Sequence, residues 1–409
     1  VISLEAARRR VLAAVRRLPP LRRERVPLEE ALGRVLAEDL RAPHDLPPFA
    51  ASMMDGYALR AADAAVPGAR LPVAFEVFAG RPARRALPPG ACCRITTGAP
   101  LPAGADAVEQ QEEVRRRGGH AVFSRPVPAG RHVRGPGSEL PAGAVALAAG
   151  AALDPPALGL AAALGHQEVT VLRRPVVAIL PTGDELVPPG RPLRPGQIRE
   201  SNSTALAAAV REAGGEPRVL PPAADTPAAL ARALRRARGA DLILTVGGVS
   251  VGPRDGVRAA LRRAGARLSF WRVALRPGKP FTFGLWGNAA VFGLPGNPAS
   301  ALVGLELFVR PALRARAGLS GDGRPRLAVR LAAAVEKPAA LTVLLRVRLE
   351  PVVTPGFPWA VPLRSQRSGD HAALAAADAL AVLPAGEGAL RRGTPVYAIL
   401  LRPPASHDA

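Results

Sequence analysis

The sequence predicts a multidomain α/β protein. A parallel α/β domain lies past the middle of the chain, a helical domain split by an inserted β segment precedes it, and a second small β domain follows. Three observations predict this. At 409 residues the chain exceeds one small core, so several domains are expected. Between residues 174 and 320, buried-strand runs alternate with helical patterns, the signature of parallel strands covered on both faces. On either side, short strands punctuated by Pro and Gly replace that alternation.

Each element has a local reason. Leu4, Ala7, Val11, Ala14 and Val15 recur at helical spacing with arginines opposite, which predicts a helix over 3–17 with Ser3 as its cap. Leu28, Ala31, Leu32 and Val35 are in phase for a second helix over 28–37. From residue 43 the runs shorten, as in Val73-Ala74-Phe75-Glu76-Val77 and Ala121-Val122-Phe123, predicting an inserted β domain over 43–141. Residues 155–164 read as helix again, so the split helical domain takes 1–42 and 142–173.

Val176-Val177-Ala178-Ile179-Leu180 and Asp241-Leu242-Ile243-Leu244-Thr245-Val246 read as buried strands of the α/β domain, 174–320. Helices are predicted over 203–212, stopped by Gly214-Gly215, and over 227–238 and 255–263. Asn297 is placed to cap a further helix, with Pro298 in its first turn, where no N–H is needed. Beyond Ser320-Gly321-Asp322-Gly323 the alternating runs 344–349 and 396–400 predict the C-terminal β domain, 325–403.

Composition excludes several classes. Hydrophobic residues make up 48% of the chain and exclude disorder; aromatics make up 4%, so Ala, Val and Leu are expected to build the cores. The formal charge of +22 suggests nucleic acid, yet of the 55 basic residues all but Lys279 and Lys337 are arginine. That bias reflects composition, the charges are scattered, and no aromatic side chains interleave with them, so nucleic-acid binding is not expected. Cys92 and Cys93 are neighbours and give neither a disulfide framework nor a zinc spacing. With no leader and no run of about 18 apolar residues, the expectation is a cytoplasmic protein without membrane contact.

The chemistry concentrates in loops at predicted strand ends, where open parallel sheets bind their ligands. They are Thr182-Gly183-Asp184-Glu185, Gly247-Gly248-Val249-Ser250-Val251-Gly252-Pro253-Arg254-Asp255, and Gly293-Leu294-Pro295-Gly296-Asn297-Pro298-Ala299-Ser300. Glycines admit close backbone approach, successive N–H groups cradle an anion, and Ser250 and Ser300 add hydroxyls. A helix start behind Asn297, with Lys279 nearby in Arg276-Pro277-Gly278-Lys279-Pro280, is a seat for phosphate. Asp184, Glu185, Asp225 and Asp255 fall beside these loops. Carboxylates beside phosphate call for a cation between them, which predicts Mg²⁺-assisted chemistry at a phosphoryl bond.

Taken jointly and in order, these segments resemble the molybdopterin molybdenumtransferase family, the molybdate-inserting enzymes of molybdenum-cofactor synthesis that include the E domain of gephyrin. The anchors are Pro48-Phe49-Ala50-Ala51-Ser52-Met53-Met54-Asp55-Gly56-Tyr57-Ala58, Arg94-Ile95-Thr96-Thr97-Gly98-Ala99-Pro100 and Gly104-Ala105-Asp106-Ala107-Val108. They continue with Pro181-Thr182-Gly183-Asp184-Glu185-Leu186, Ser201-Asn202-Ser203, the Gly247 to Gly252 run, Pro277-Gly278-Lys279-Pro280 and Gly293-Leu294-Pro295-Gly296-Asn297-Pro298.

The resemblance implies that the α/β domain binds molybdopterin, that the C-terminal domain is a β-barrel, and that a homodimer completes each site with the partner's inserted β domain. It admits a transient contact with molybdopterin adenylyltransferase. The implied reaction takes adenylylated molybdopterin and molybdate, and Mg²⁺ assists cleavage of the pyrophosphate bond with release of AMP.

Position by position, Glu185 and Asp225 are implied near the metal or the attacking water, and Asp55 and Thr97 close the site. Thr182, Gly183, Asp184, Gly247, Gly248, Ser250, Asp255, Pro295, Gly296, Asn297 and Ser300 are implied in substrate binding. Arg272, Arg276 and Lys279 hold anionic oxygens, and Arg346 and Ser368 contribute from the C-terminal domain.

This chain departs from the family pattern at five places. Arg272 and Arg276 stand where Lys is common, Ala50-Ala51 replaces Asp-Asn, Val246 replaces a hydroxyl residue, and Arg367 replaces a Gly before Ser368. Arg keeps the charge but grips bidentately. Two alternatives stand beside the main reading: a molybdopterin adenylyltransferase, whose single domain resembles residues 175–320, and a catalytically weakened paralogue acting as a binding module.

Overall fold

A computed structural model describes residues 1–248, 256–350 and 356–402. The chain divides into two compact units: 1–24, 33–35 and 172 onward, and 25–32 with 36–171.

In the first unit, helix α1 (Leu4–Arg16) is capped by Ser3, whose Oγ accepts the Ala6 N–H at 3.2 Å. Its apolar stripe Leu4, Ala7, Val11 and Val15 joins the core of the α/β domain. That domain alternates β1 (Val176–Pro181), α2 (Asn202–Glu212), β2 (Glu216–Val219), α3 (Pro227–Arg236), β3 (Leu242–Val246) and α4 (Gly256–Arg263). The hairpin-linked strands β4 (Arg267–Arg272), β5 (Pro280–Trp286) and β6 (Ala289–Leu294) follow, then α5 (Pro298–Gly304). The sheet runs β2-β1-β3-β6-β5-β4. The first four strands are parallel, and β5 and β4 are antiparallel additions at the edge.

Strands β1, β3 and β6 are almost wholly buried, as helices on both faces require. Aromatics are scarce, yet Phe270, Phe281, Phe283, Phe292 and Phe308 pack in this one core, with Phe281 and Phe308 centroids 4.3 Å apart. Ala, Val and Leu make up most of this core, as expected, and the five phenylalanines are gathered within it. After α5 the helix widens into a π turn, Leu305–Val309, and resumes as α6 (Arg310–Arg316).

Glu306 lies on that turn and is fully buried. Its carboxylate accepts Arg310 Nε at 2.6 Å and Arg324 Nε at 3.2 Å, while Glu212 of α2 accepts Arg310 Nη2 at 2.8 Å and Arg324 Nη2 at 2.6 Å. Two acids and two arginines thus tie together α2, the π turn and the linker that leads into the barrel.

The C-terminal strands β7 (Arg326–Leu331), β8 (Thr342–Glu350), β9 (Trp359–Pro362), β10 (Ala379–Leu383) and β11 (Pro395–Leu400) close on themselves, because β8 pairs with both β9 and β10. The short strand Leu275–Arg276 pairs in parallel with the start of β8, which joins the proline loop to the barrel wall.

The second unit holds a six-stranded sheet. Gly56–Leu59 lies between Ala107–Gln110 and Cys92–Ile95, and Arg70–Val77 and His120–Phe123 continue it. Cys92 and Cys93 are buried free thiols, and burial pushes both up to about 12. Asp154 caps helix Pro155–Ala163 through the Ala157 N–H at 2.9 Å.

The helix expected over 28–37 is absent. Leu28–Glu30 make one 3₁₀ turn, and Gly33, at φ +71°, turns the chain left-handed. The amides beyond serve neighbouring segments, with Leu36 N–H donating to the Ala151 carbonyl and Ala37 N–H to that of Thr170. Among the described residues no helix is long and apolar enough to cross a membrane.

Candidate functional site

The carboxyl ends of β1, β3 and β6 open into one hollow of about 1360 Å³, bounded on its far side by the barrel. Backbone hydrogen bonds lace these ends together. Thr182 N–H donates to the Val246 carbonyl at 2.8 Å, Gly247 N–H to Leu294 at 3.0 Å, and Gly183 N–H to Ala223 at 3.1 Å. Gly247 is sterically required, and Gly183 leaves room for a neighbouring carboxylate. A Cβ on Gly247, at φ +94°, would sit 2.5 Å from the Thr182 carbonyl oxygen. One on Gly183 would sit 2.6 Å from the carboxylate of Glu185, which folds back over that peptide.

Most residues expected in substrate binding meet here. Thr182, Gly183, Gly247, Gly248, Arg276, Lys279, Pro295, Gly296, Asn297, Ser300 and Ser368 line the hollow, with Glu185 and Asp225. Asp184 does not line it; its Oδ1 accepts the Asp225 N–H at 3.2 Å and so holds the loop that carries Asp225. Asn297 occupies the cap position of α5 without a side-chain cap bond, and the Ala299 N–H donates to the Ser368 carbonyl at 3.0 Å. One amide of the expected phosphate seat is therefore committed to the barrel loop.

Arg272 is placed against Trp271, its guanidinium 4.0 Å from the ring centroid, and is not a lining residue. Arg346 is buried at 3% exposure and donates to the carbonyls of Arg367 at 2.9 Å and Ser365 at 3.3 Å. Burial lowers its guanidinium, against a smaller raising effect of Asp370. Arg346 thus shapes the loop that presents Ser368. Asp55 and Thr97 lie in the second unit, where Asp55 Oδ1 accepts the Thr97 N–H at 2.8 Å and hydroxyl at 3.2 Å. Ser250 and Asp255 lie outside the described residues.

Sequence reasoning missed several lining residues. Gln366 clasps Arg346, accepting its N–H at 3.0 Å and donating to its carbonyl at 2.9 Å. Asn202 Nδ2 donates to the Gly296 carbonyl at 2.7 Å, and Ser201 Oγ meets His371 Nε2 at 3.3 Å. Glu200 Oε1 accepts the Ser203 N–H at 2.9 Å and starts α2. Lys337, only 8% exposed, donates to the Leu341 carbonyl at 3.1 Å. Its signal was available: both lysines of the chain line this hollow.

Arg199, Arg276, Lys279, Lys337 and Arg367 line the hollow together with Glu185, Glu200, Asp225 and Glu336. Such a site suits a polyanion together with a cation. Among the described residues no three His, Cys, Asp or Glu side chains cluster as an all-protein metal cage. The two carboxylates Glu185 and Asp225 on this hollow fit Mg²⁺, which usually takes one or two carboxylates and completes its sphere with water and substrate oxygens.

The fold and this hollow define a multidomain α/β protein that presents an anion-handling cleft between sheet edge and barrel. Three family signatures cover the chain: "MoeA N-terminal region (domain I and II)" over 2–165, "Probable molybdopterin binding domain" over 178–315, and "MoeA C-terminal region (domain IV)" over 328–401. The molybdopterin molybdenumtransferase of Synechococcus elongatus is 40% identical over 97% of this chain and 98% of its own length. That of Bacillus subtilis is 35% identical over 93% and 90%. The crystal structure of a molybdopterin biosynthesis MoeA protein from Pyrococcus horikosii superposes with TM-score 0.81 at 33% identity, covering 98% of this chain and 99% of that one. The chain belongs to the MoeA family of molybdopterin molybdenumtransferases.

Proposed function

We propose that this protein inserts molybdate into adenylylated molybdopterin in the hollow at the carboxyl edge of its central sheet, with Mg²⁺-dependent release of AMP. The observation that carries the reading is the meeting of Gly183, Gly247 and Gly296 with Glu185, Asp225, Arg276 and Lys279 around one cavity. The matched regions flanking the central domain have no counterpart in a single-domain adenylyltransferase, which disfavours that alternative.

Backbone at the glycine loops seats the pyrophosphate, and Arg276 and Lys279 neutralise its oxygens. Glu185 and Asp225 would hold Mg²⁺, which when bound supplies charge neutralisation at the scissile phosphoryl group. Glu185, folded against Gly183, orients a water whose oxygen bonds to phosphorus as the bridging P–O bond breaks. AMP departs, and the water's protons pass to the product oxygens and solvent. A second copy of the chain would supply Asp55 and Thr97, already hydrogen-bonded to each other. Buried free thiols accord with a reducing cytoplasm.

The test is molybdate-dependent AMP release from adenylylated molybdopterin by the purified chain. Glu185→Gln is expected to lower kcat by about 10² to 10⁴ with little change in folding. A Glu185→Gln enzyme as fast as wild type overturns this assignment.

A further inference from the structure

A second hollow, of about 520 Å³, lies at the opposite, amino edge of the central sheet. Arg22, Arg173, Arg238 and Arg316 line it with a single carboxylate, Asp241, and the indole of Trp286. The electrostatics do not close. Asp241 Oδ2 accepts Arg173 Nη1 at 2.7 Å and the Val176 N–H at 2.8 Å. Its Oδ1 accepts Arg173 Nη2 at 2.8 Å and reaches Arg316 Nη2 only at 3.5 Å. The acid is spent on Arg173.

Arg316 is left with an incomplete set of partners although its side chain is only 7% exposed, and its buried Nε has no hydrogen-bond partner among the described residues. Burial pushes the Arg316 guanidinium below its usual value, with Asp241 opposing and Arg173 adding to the fall, whereas the hydrogen bond that Arg173 donates to Asp241 raises Arg173. Trp286 is fixed by its Nε1 donating to the Ala264 carbonyl at 2.7 Å, and Arg238 stands over its ring at 5.8 Å. A buried guanidinium that shares its one counter-charge with a second arginine and leaves its Nε unbonded is costly, and its planar fork suits an oxyanion.

We propose that this pocket is an anion site distinct from the carboxyl-edge hollow, taking one divalent tetrahedral oxyanion between Arg316, Arg173 and Arg238. Inorganic phosphate and molybdate share that chemistry, and the experiment separates them. The full-length chain carrying Arg276→Ala and Lys279→Ala, which disable the carboxyl-edge hollow, is titrated by calorimetry with sodium phosphate and separately with sodium molybdate.

One equivalent of at least one ion is expected to bind, and the tighter ion names the source. Adding Arg316→Met or Arg238→Ala is expected to weaken that binding about tenfold or more. The rise in melting temperature that the ion produces should vanish with Arg316→Met. Arg238 is exposed, so Arg238→Ala carries the test should Arg316→Met fail to fold. Absence of saturable binding, or affinity unchanged by either substitution, overturns the proposal. The experiment reads binding rather than turnover, so its result stands apart from that of the AMP-release assay.

Discussion

Gly183→Ala separates the position of Glu185 from its charge. In the native backbone the nearest atoms to a Cβ at residue 183 would be the Glu185 carboxylate, at 2.6 to 2.8 Å. Carbon and oxygen do not settle that close, so the carboxylate must withdraw by roughly 0.5 to 1 Å. It is the free end of a flexible side chain, and the contact itself costs little. The backbone at φ +149° adds about 1–3 kcal/mol of strain for an L-residue. A displacement of about 1 Å in a positioned catalytic group costs on the order of 10²-fold, or about 2.7 kcal/mol in barrier. Gly183→Ala should therefore fold with a modestly lowered melting temperature, yet lose about 100-fold in kcat for molybdate-dependent AMP release. Circular dichroism and a coupled AMP assay on the same preparation check both halves. A folded Gly183→Ala enzyme within about threefold of wild type refutes the idea that the seat of Glu185 matters.

Three further outcomes follow from the packing. Glu306→Gln removes a fully buried charge from beside Arg310 and Arg324, and should destabilise by about 3–5 kcal/mol, read as a lowered urea midpoint. For Glu212, burial alone would raise the carboxyl, but Arg310 and Arg324 together bring it below its usual range; for Asp322, Arg8 and Arg326 do the same against burial. Depressed carboxylates add stability above their unfolded pKa values, about 4, and lose it as pH falls through the folded ones. The melting temperature should thus drop steeply below about pH 4, and Glu212→Gln with Asp322→Asn should flatten that drop; equal slopes in both proteins would contradict the coupling. Lys337→Arg places a larger head group at a position 8% exposed, and should cost about 1–3 kcal/mol by thermal melting.

What the sequence revealed and what it hid divide along chain distance. The glycine loops were legible because strand, turn and helix are contiguous, so Thr182, Gly247 and Asn297 could each be set at a strand end from local pattern alone. Their convergence follows from parallel topology. The barrel wall was legible only through the family resemblance, since the contact between Ser368 and Ala299 joins residues far apart in the chain with no local signal on either side. Arg346 reads as an ordinary charged residue in an alternating strand, and only its bonds to the Arg367 and Ser365 carbonyls explain its burial. The failed helix at 28–37 has a local cause that periodicity ignores. Gly33 turns left-handed, and Leu32, in phase for a buried stripe, is 55% exposed.

The two lysines add an argument that no motif carries. In a chain where arginine has taken nearly every basic position, including 272 and 276, a position that keeps lysine demands what guanidinium cannot give. An ammonium is compact and needs three acceptors, whereas a guanidinium brings five N–H groups in a fixed plane. Arg272 satisfies its plane against the Trp271 ring. Lys337 sits buried with the Leu341 carbonyl as its hydrogen-bond acceptor, a setting in which five donors would go short. Lys279 follows Gly278, at φ +104°, and precedes β5, on the same hollow. Both lysines stand on the wall of one hollow, where the proposed polyanionic substrate would meet them, and the composition bias that obscured the charge of this protein also marks that wall.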